Sequence, residues 1–264
     1  MNLPRGIKRP DGSLRKQMGF KPVTGTLEVE TAMAARAATR PEAVAAVLDI
    51  CLADTDGSNA LELASGDARF LMAKLARHFG HAQQWMTATC GSCDGLFDFE
   101  IDLDNLPAPQ SIVDMQEFAK VTTSQGFVNI RAPTLHDQIE VARNAGDDES
   151  FGLLERLVLN SVVDLQALLD SDLEALDEAA SLLSPTLPFA VEAPCPTCLY
   201  KNAIAIDVSS WLDKLDMDLI GDVHVIASTY GWAEADILTM SQTRRNGYLR
   251  LIEQSRGLAT SGGY

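Results

Sequence analysis

The chain has 264 residues, 46% of them hydrophobic, and a formal net charge of -16. That is enough to bury a core in one large domain or two modest ones, and ordinary glycine and proline levels exclude global disorder. The acidity makes phosphate backbones and anionic lipids poor partners; with no signal-like apolar run at the start and no stretch near the ~20 apolar residues that span a bilayer, a cytoplasmic protein is expected.

Basic residues concentrate at the beginning. Arg5, Lys8, Arg9, Arg15, Lys16 and Lys21 stand against Asp11 alone. Residues 1–24 therefore read as a basic arm or short hairpin, either solvated or laid on an acidic surface. A helical region, 25–84, follows. Its first helix begins near Thr26, and a second opens at Pro41 and runs through Val44, Val47, Leu48 and Cys51. Cys51 falls on the apolar face and reads as a small buried hydrophobe. Ser65-Gly66-Asp67 starts a third helix, and Gly80 stops it.

The pattern then turns to strand. Trp85–Thr89 leads into Cys90, and LFDFEIDL, from Leu96 to Leu103, alternates apolar and polar residues. Pro107 and Pro109 end that stretch. Between 107 and 187 an α/β insertion is expected: a hairpin of Phe118–Thr122 with Phe127–Arg131, a helix capped by Thr134 and Asp137, an amphipathic helix from Phe151 to Val163, and a helix opened by Ser171 and Glu174. Strand character returns over Phe189–Val191 and Ala203–Val208. The remainder, 209–264, is mostly helical, with a loose tail from Ala259 to Tyr264.

The cysteines carry the chemistry. CGSCDGLFDFEIDL begins at Cys90 and CPTCLYKNAIAIDV at Cys195, so each CxxC is followed by turn residues and an alternating strand. A tight CxxC turn aims two thiolates at one ion. Two such turns supply the four soft ligands that tetrahedral structural zinc prefers. Cys90, Cys93, Cys195 and Cys198 are therefore expected to bind one structural zinc ion in a split zinc ribbon, with halves at 85–106 and 188–208. The 101 residues from Asp94 to Pro194 are no obstacle: lengthening a loop about sixfold adds only about 1.6 kcal/mol of closure cost, against the roughly 10–16 kcal/mol of structural zinc. CPTC alone would also suit a redox dithiol, but two motifs each followed by a strand favour metal.

No phosphate loop, GxGxxG, GxSxG or HExxH is present. His78 and His81 read as surface residues at a helix end, and His224 as a hydrogen-bonded core histidine. Four thiolates leave zinc no open position, so no catalysis, no small-molecule substrate and no nucleic acid are expected. Arg244-Arg245 stands near a helix start, where positive charge opposes the helix dipole. The pair is a candidate anchor for an acidic partner or for the acidic body of this chain.

The C-terminal piece DVHVIASTYGWAEADILTMSQTRRNGYL, from Asp222 to Leu249, resembles the baseplate hub assembly chaperones of T-even-type phages and related contractile injection systems. His224, Ala227, Tyr230, Trp232, Glu234, Ile237, Leu238, Arg244, Arg245 and Tyr248 fit that pattern of an apolar helix, a tryptophan turn and an arginine pair. FKPVTGTLEVE, GDARFLMAKLA, the first CxxC with FDFEIDL, VNIRAPTLHDQ and CPTC extend the resemblance over residues 20–256; the related form carries arginine where Ala68 stands. The resemblance implies an assembly factor whose partners are baseplate, hub or spike proteins. Arg244 and Arg245, on the grounds of their charge, and Trp232, expected to pack in the turn between the C-terminal helices, are the candidate partner-binding residues. A permanent structural baseplate subunit and a zinc-ribbon nucleic-acid adaptor are the alternatives, the latter opposed by the charge. The expected architecture is α+β: mostly helical, with a split zinc ribbon and a C-terminal helical hairpin.

Overall fold

A computed structural model describes residues 1–9, 11–53, 59–107, 116–144, 149–160 and 163–257. The expectations for Pro109 and for the tail from Ala259 to Tyr264 fall outside these residues. Helices are joined by small antiparallel sheets, a mixed α/β architecture as the patterning expected.

The first residues are part of the core. β1 (Asn2–Lys8) pairs with β2 (Leu14–Gln17), and Leu3, Ile7 and Met18 are buried. Gly6 has φ +98°, and a Cβ there would meet the Arg15 carbonyl oxygen at 2.8 Å, so the hairpin needs glycine at that point. Asp67 then clamps the strand: its Oδ1 accepts from Arg5 N at 2.9 Å and its Oδ2 from Gly6 N at 2.6 Å. Of the two expected forms, the arm is the hairpin, laid on its own acidic body.

β3 (Gly19–Phe20) pairs with β4 (Leu52–Ala53) around α1 (Gly25–Ala34) and α2 (Arg40–Cys51). Thr39 and Glu42 form a capping box at the start of α2. α3 (Ser65–His78) is the central helix, burying Leu71, Met72, Leu75 and Ala76. Phe79 and Trp211 pack at 5.3 Å between ring centroids, closing the main core from the other end of the chain.

β5 (Gln83–Thr89) and β6 (Leu96–Asp102) form a long hairpin, and β7 (Phe118–Thr123) and β8 (Gly126–Arg131) form another. α4 (Leu135–Arg143) carries the expected Thr134–Asp137 capping box, yet Leu135 and Ile139 join the main core. The insertion proper has a separate core of Val128, Ile130, Leu157 and Leu176.

Two insertion expectations are corrected. The helix expected to run from Phe151 to Val163 is α5 (Glu149–Leu157), and the chain then becomes β9 (Val158–Asn160) on the open edge of β8. Arg131 donates to the Arg156 carbonyl at 3.1 Å, holding the chain at the point of change. α6 (Asp170–Leu183) starts one residue before the expected box. Its cap is the Asp172 carboxylate, which accepts from Leu169 N at 3.3 Å and also takes Ser124 N at 3.1 Å and Ser124 Oγ at 2.5 Å. The competing partner was a turn 48 residues away, invisible to local pattern.

β10 (Ala190–Pro194) and β11 (Lys201–Ala205) make the last hairpin. Three helices end the described chain: α7 (Leu215–Tyr230), α8 (Glu234–Leu238) and α9 (Gln242–Ser255), sharing Ile226, Ile237 and Ile252. Gly231, at φ +70°, ends α7 in the left-handed conformation. The unit docks on α1, where a Cβ on Gly25 would meet Leu238 Cα at 2.8 Å. His224 is exposed on α7, not in a core, because the buried stripe of that helix runs through Ile226.

Candidate metal centre

The β5–β6 and β10–β11 hairpins end in two turns of the same construction. Cys90 N donates to Gly95 O at 3.0 Å and Asp94 N to Cys90 O at 3.0 Å; Cys195 N donates to Tyr200 O at 2.9 Å and Leu199 N to Cys195 O at 2.9 Å. Asp94 and Leu199 occupy matching left-handed positions, with φ of 55° and 60°. Such a turn brings both thiols of a CxxC to one side. The two turns face each other and bury Phe97 and Ala193 between them.

All four Sγ atoms lie within 4.8 Å of one another. Cys90 Sγ is 3.5 Å from Cys198 Sγ, and Cys93 Sγ is 3.8 Å from Cys195 Sγ. A tetrahedron of thiolates about 2.3 Å from a zinc ion has edges of about 3.8 Å. The spacing therefore fits one ion of that kind. Disulfides are absent among the described residues, so all four sulfurs are free to ligate.

The electrostatics of the unligated thiols are uneven. Backbone donation from Ser92, 3.4 Å from Cys90 Sγ, brings Cys90 down to about 6. Backbone N–H groups of Cys198 and Thr197 lower Cys195. The Gly95 backbone N–H pulls Cys93 down, but Cys198, Cys90, burial and Cys195 together push it up to about 12. One thiolate thus raises the cost of the next, the situation a cation relieves.

Asn202 joins the turns and was missed by motif reasoning. Its Oδ1 accepts from Gly91 N at 2.9 Å, while its Nδ2 donates to Tyr200 O at 3.1 Å and lies 3.8 Å from Cys90 Sγ. One amide on the second hairpin therefore fixes the first. The signal was available: Asn202 stands seven residues after Cys195, as Phe97 does after Cys90, and both are buried. A polar side chain at an inward strand position requires a partner.

Cys51 stands apart, buried and 3.3 Å from Thr31 Oγ1, with burial pushing its thiol up to about 11. The three C-terminal residues separate. Arg244 is exposed and reaches Tyr248 Oη at 3.4 Å. Trp232 stacks on Tyr230 at 4.8 Å and meets Tyr248 edge-on at 4.9 Å. Arg245 is fully buried, paired with Glu28, 3.8 Å from Asp222 and donating to Met240 O at 3.1 Å. Its expected role on a partner is corrected to an anchor for this chain. Adjacent helical residues point about 100° apart, so one arginine faces outward and the next inward.

No helix among the described residues is long and apolar enough to cross a membrane. No protein-family profile, curated protein or solved structure matches the chain.

Proposed function

We propose that the four cysteines hold one structural zinc ion in a split zinc ribbon. We further propose that the chain is an assembly factor for the baseplate hub of a contractile phage tail or related injection system, acting by binding other proteins. The observation that carries the second reading is the surface of the C-terminal unit, the segment with the most specific resemblance. Tyr230, Trp232 and Tyr248 interlock there beside exposed Arg244. Tryptophan, tyrosine and arginine are the residue types that dominate protein-binding energetics. Four thiolates would saturate zinc and leave no position for an activated water, which supports a structural ion and a non-enzymatic protein.

Deletion of the gene tests the role. Baseplate, hub and spike proteins should still be expressed, but electron microscopy should find few intact particles. Normal yields of sheathed particles would overturn it. Mass spectrometry of purified wild-type particles separates an assembly factor, absent or substoichiometric, from a permanent baseplate subunit.

A further inference from the structure

The two hairpins that carry the cysteine turns can be compared pair by pair, because their turns are built alike and both ladders are regular. Counting outward from the turns, the pair Trp85–Glu100 on β5–β6 corresponds to Ala190–Ala205 on β10–β11. Both pairs point away from the buried face between the hairpins, and all four residues are exposed. The second hairpin shows how little the sheet itself requires at these positions. It carries alanines there, and the single acid of its outer face, Glu192, is neutralised by Lys201 at 3.4 Å.

The first hairpin departs from that economy. Trp85 is 68% exposed, and Leu96, nearer the turn on the same face, is 75% exposed. Asp98, Glu100 and Asp102 alternate along β6, so all three lie on this outer face. β5 and β6 contain no lysine or arginine, and none of the three carboxylates makes an ion pair among the described residues. Asp104, just past the strand, is by contrast held by Lys74 and Arg77, each at 2.7 Å. Asp98 accepts from Thr87 Oγ1 at 2.6 Å, and Asp102 from Asp104 N at 2.9 Å and Asn105 Nδ2 at 2.6 Å. Glu100, directly across the ladder from Trp85, has no hydrogen-bond partner among the described residues.

We infer that the outer face of β5–β6 is a docking surface for an extended cationic segment of another protein, with a basic side chain laid over the Trp85 ring against Glu100 and an apolar one covering Leu96. An indole face beside a carboxylate is the complement of a cation, and a guanidinium can stack on the one while bonding the other. Leu96 and Glu100 are four residues apart on one strand, about 13 Å at the rise of a β-strand. An extended segment matches that span with an apolar and a basic residue four positions apart, and a second basic residue midway meets Asp98. The unneutralised acidity of the face repels nucleic acid and anionic lipid. The surface lies on other elements than the C-terminal aromatic cluster, so it goes beyond the assembly reading and stands without it.

Fluorescence anisotropy of a labelled, end-capped peptide Leu-Thr-Arg-Thr-Arg, titrated with the full-length chain, tests the surface. The control peptide carries citrulline for each arginine, which keeps the shape and removes the charge. One saturable site per chain is expected, with the citrulline peptide at least about tenfold weaker, the scale of losing charge-assisted bonds. Trp85→Ala and Glu100→Ala install what the second hairpin already carries at the matching positions, so the fold should survive. Trp85→Ala should weaken the arginine peptide about two- to fivefold, the scale of an exposed cation–π contact, and the double variant should weaken it further. If Trp85→Ala unfolds, Glu100→Ala alone carries the test. Absence of saturable binding, equal binding of the citrulline peptide, or an affinity unchanged by the variants would overturn the proposal. A wild-type dimer in sedimentation velocity that Trp85→Ala abolishes would also overturn it, by assigning the face to a second copy of the chain.

Discussion

Arg245, on the last described helix, is ion-paired with Glu28 on the first, 217 residues earlier, and both side chains are buried. Asp222 on α7 adds a second carboxylate to the same guanidinium. Burial raises the pKa of Glu28, against the lowering pull of Arg245. Removing one partner would strand the other charge out of water. Arg245→Ala should therefore lower stability by roughly 3–5 kcal/mol in denaturant unfolding. Arg244→Ala should change stability little; equal effects would refute the inward–outward division of the pair.

The outward half supplies the binding test. Arg244→Ala and Trp232→Ala should each reduce recovery of baseplate components in pull-downs from cells carrying the whole operon. Trp232→Ala also loses two ring contacts, a cost of roughly 0.5–1.5 kcal/mol per pair. The folded fraction therefore has to be measured alongside. Full recovery with both variants would reduce this surface to solvated packing.

Elemental analysis of freshly reduced protein should find about one zinc per chain. Cys90→Ser or Cys198→Ser should release the metal and destabilise the fold, because ligation is coupled to folding. Cys51→Ser should retain full metal content. The native Cys51 thiol, buried and raised to about 11, should resist alkylation at pH 8.

Asn202→Leu keeps approximate volume but removes the bridge between the turns. It should weaken metal affinity by about 10–100-fold in competition with a chelator, the usual effect of losing a group that orients ligands. Zinc stoichiometry at saturation should stay at the wild-type value. An affinity equal to that of the wild type would show that the turns hold their register without the amide.

Asp137 should govern part of the acid sensitivity. Burial alone would raise its pKa, but bonds from Arg131 at 2.6 and 2.8 Å, with Thr134 N and Oγ1, hold it below the ordinary carboxylate value. A depressed carboxylate contributes fully above its unfolded pKa of about 3.9, and that contribution is lost as pH falls through the folded value. Stability should thus drop below about pH 4, and Asp137→Asn should be less stable at pH 7 with a flatter acid limb. An unchanged slope would exclude the group.

What could be read from sequence was short-range. The alternation of LFDFEIDL, the Thr134–Asp137 cap and the spacing of the cysteine turns each express a rule that acts within a few residues. β9 was not readable, because Val158–Asn160 turns to strand only where β8 offers an edge. Nor was the true cap of α6, set by Ser124 across the insertion. His224 and Arg245 exchanged their expected environments for one reason: an amphipathic helix shows a stripe, but only its neighbours decide which flank is covered. Asn202 lay between these cases, since its inward position was legible and its partner, Gly91, was not.

The two cysteine turns also set a clock. On a ribosome adding about 5–20 residues per second, Cys195 follows Cys93 by roughly 5–20 s. For that interval the nascent chain carries half a centre: two thiols with no second pair. The insertion emerges in this window, and its own apolar core of Val128, Ile130, Leu157 and Leu176 can collapse before the ring around it is closed. If each hairpin folds as it emerges, closure would join two finished hairpins rather than search with a random coil. A metal captured at that late moment would act as a latch on finished parts.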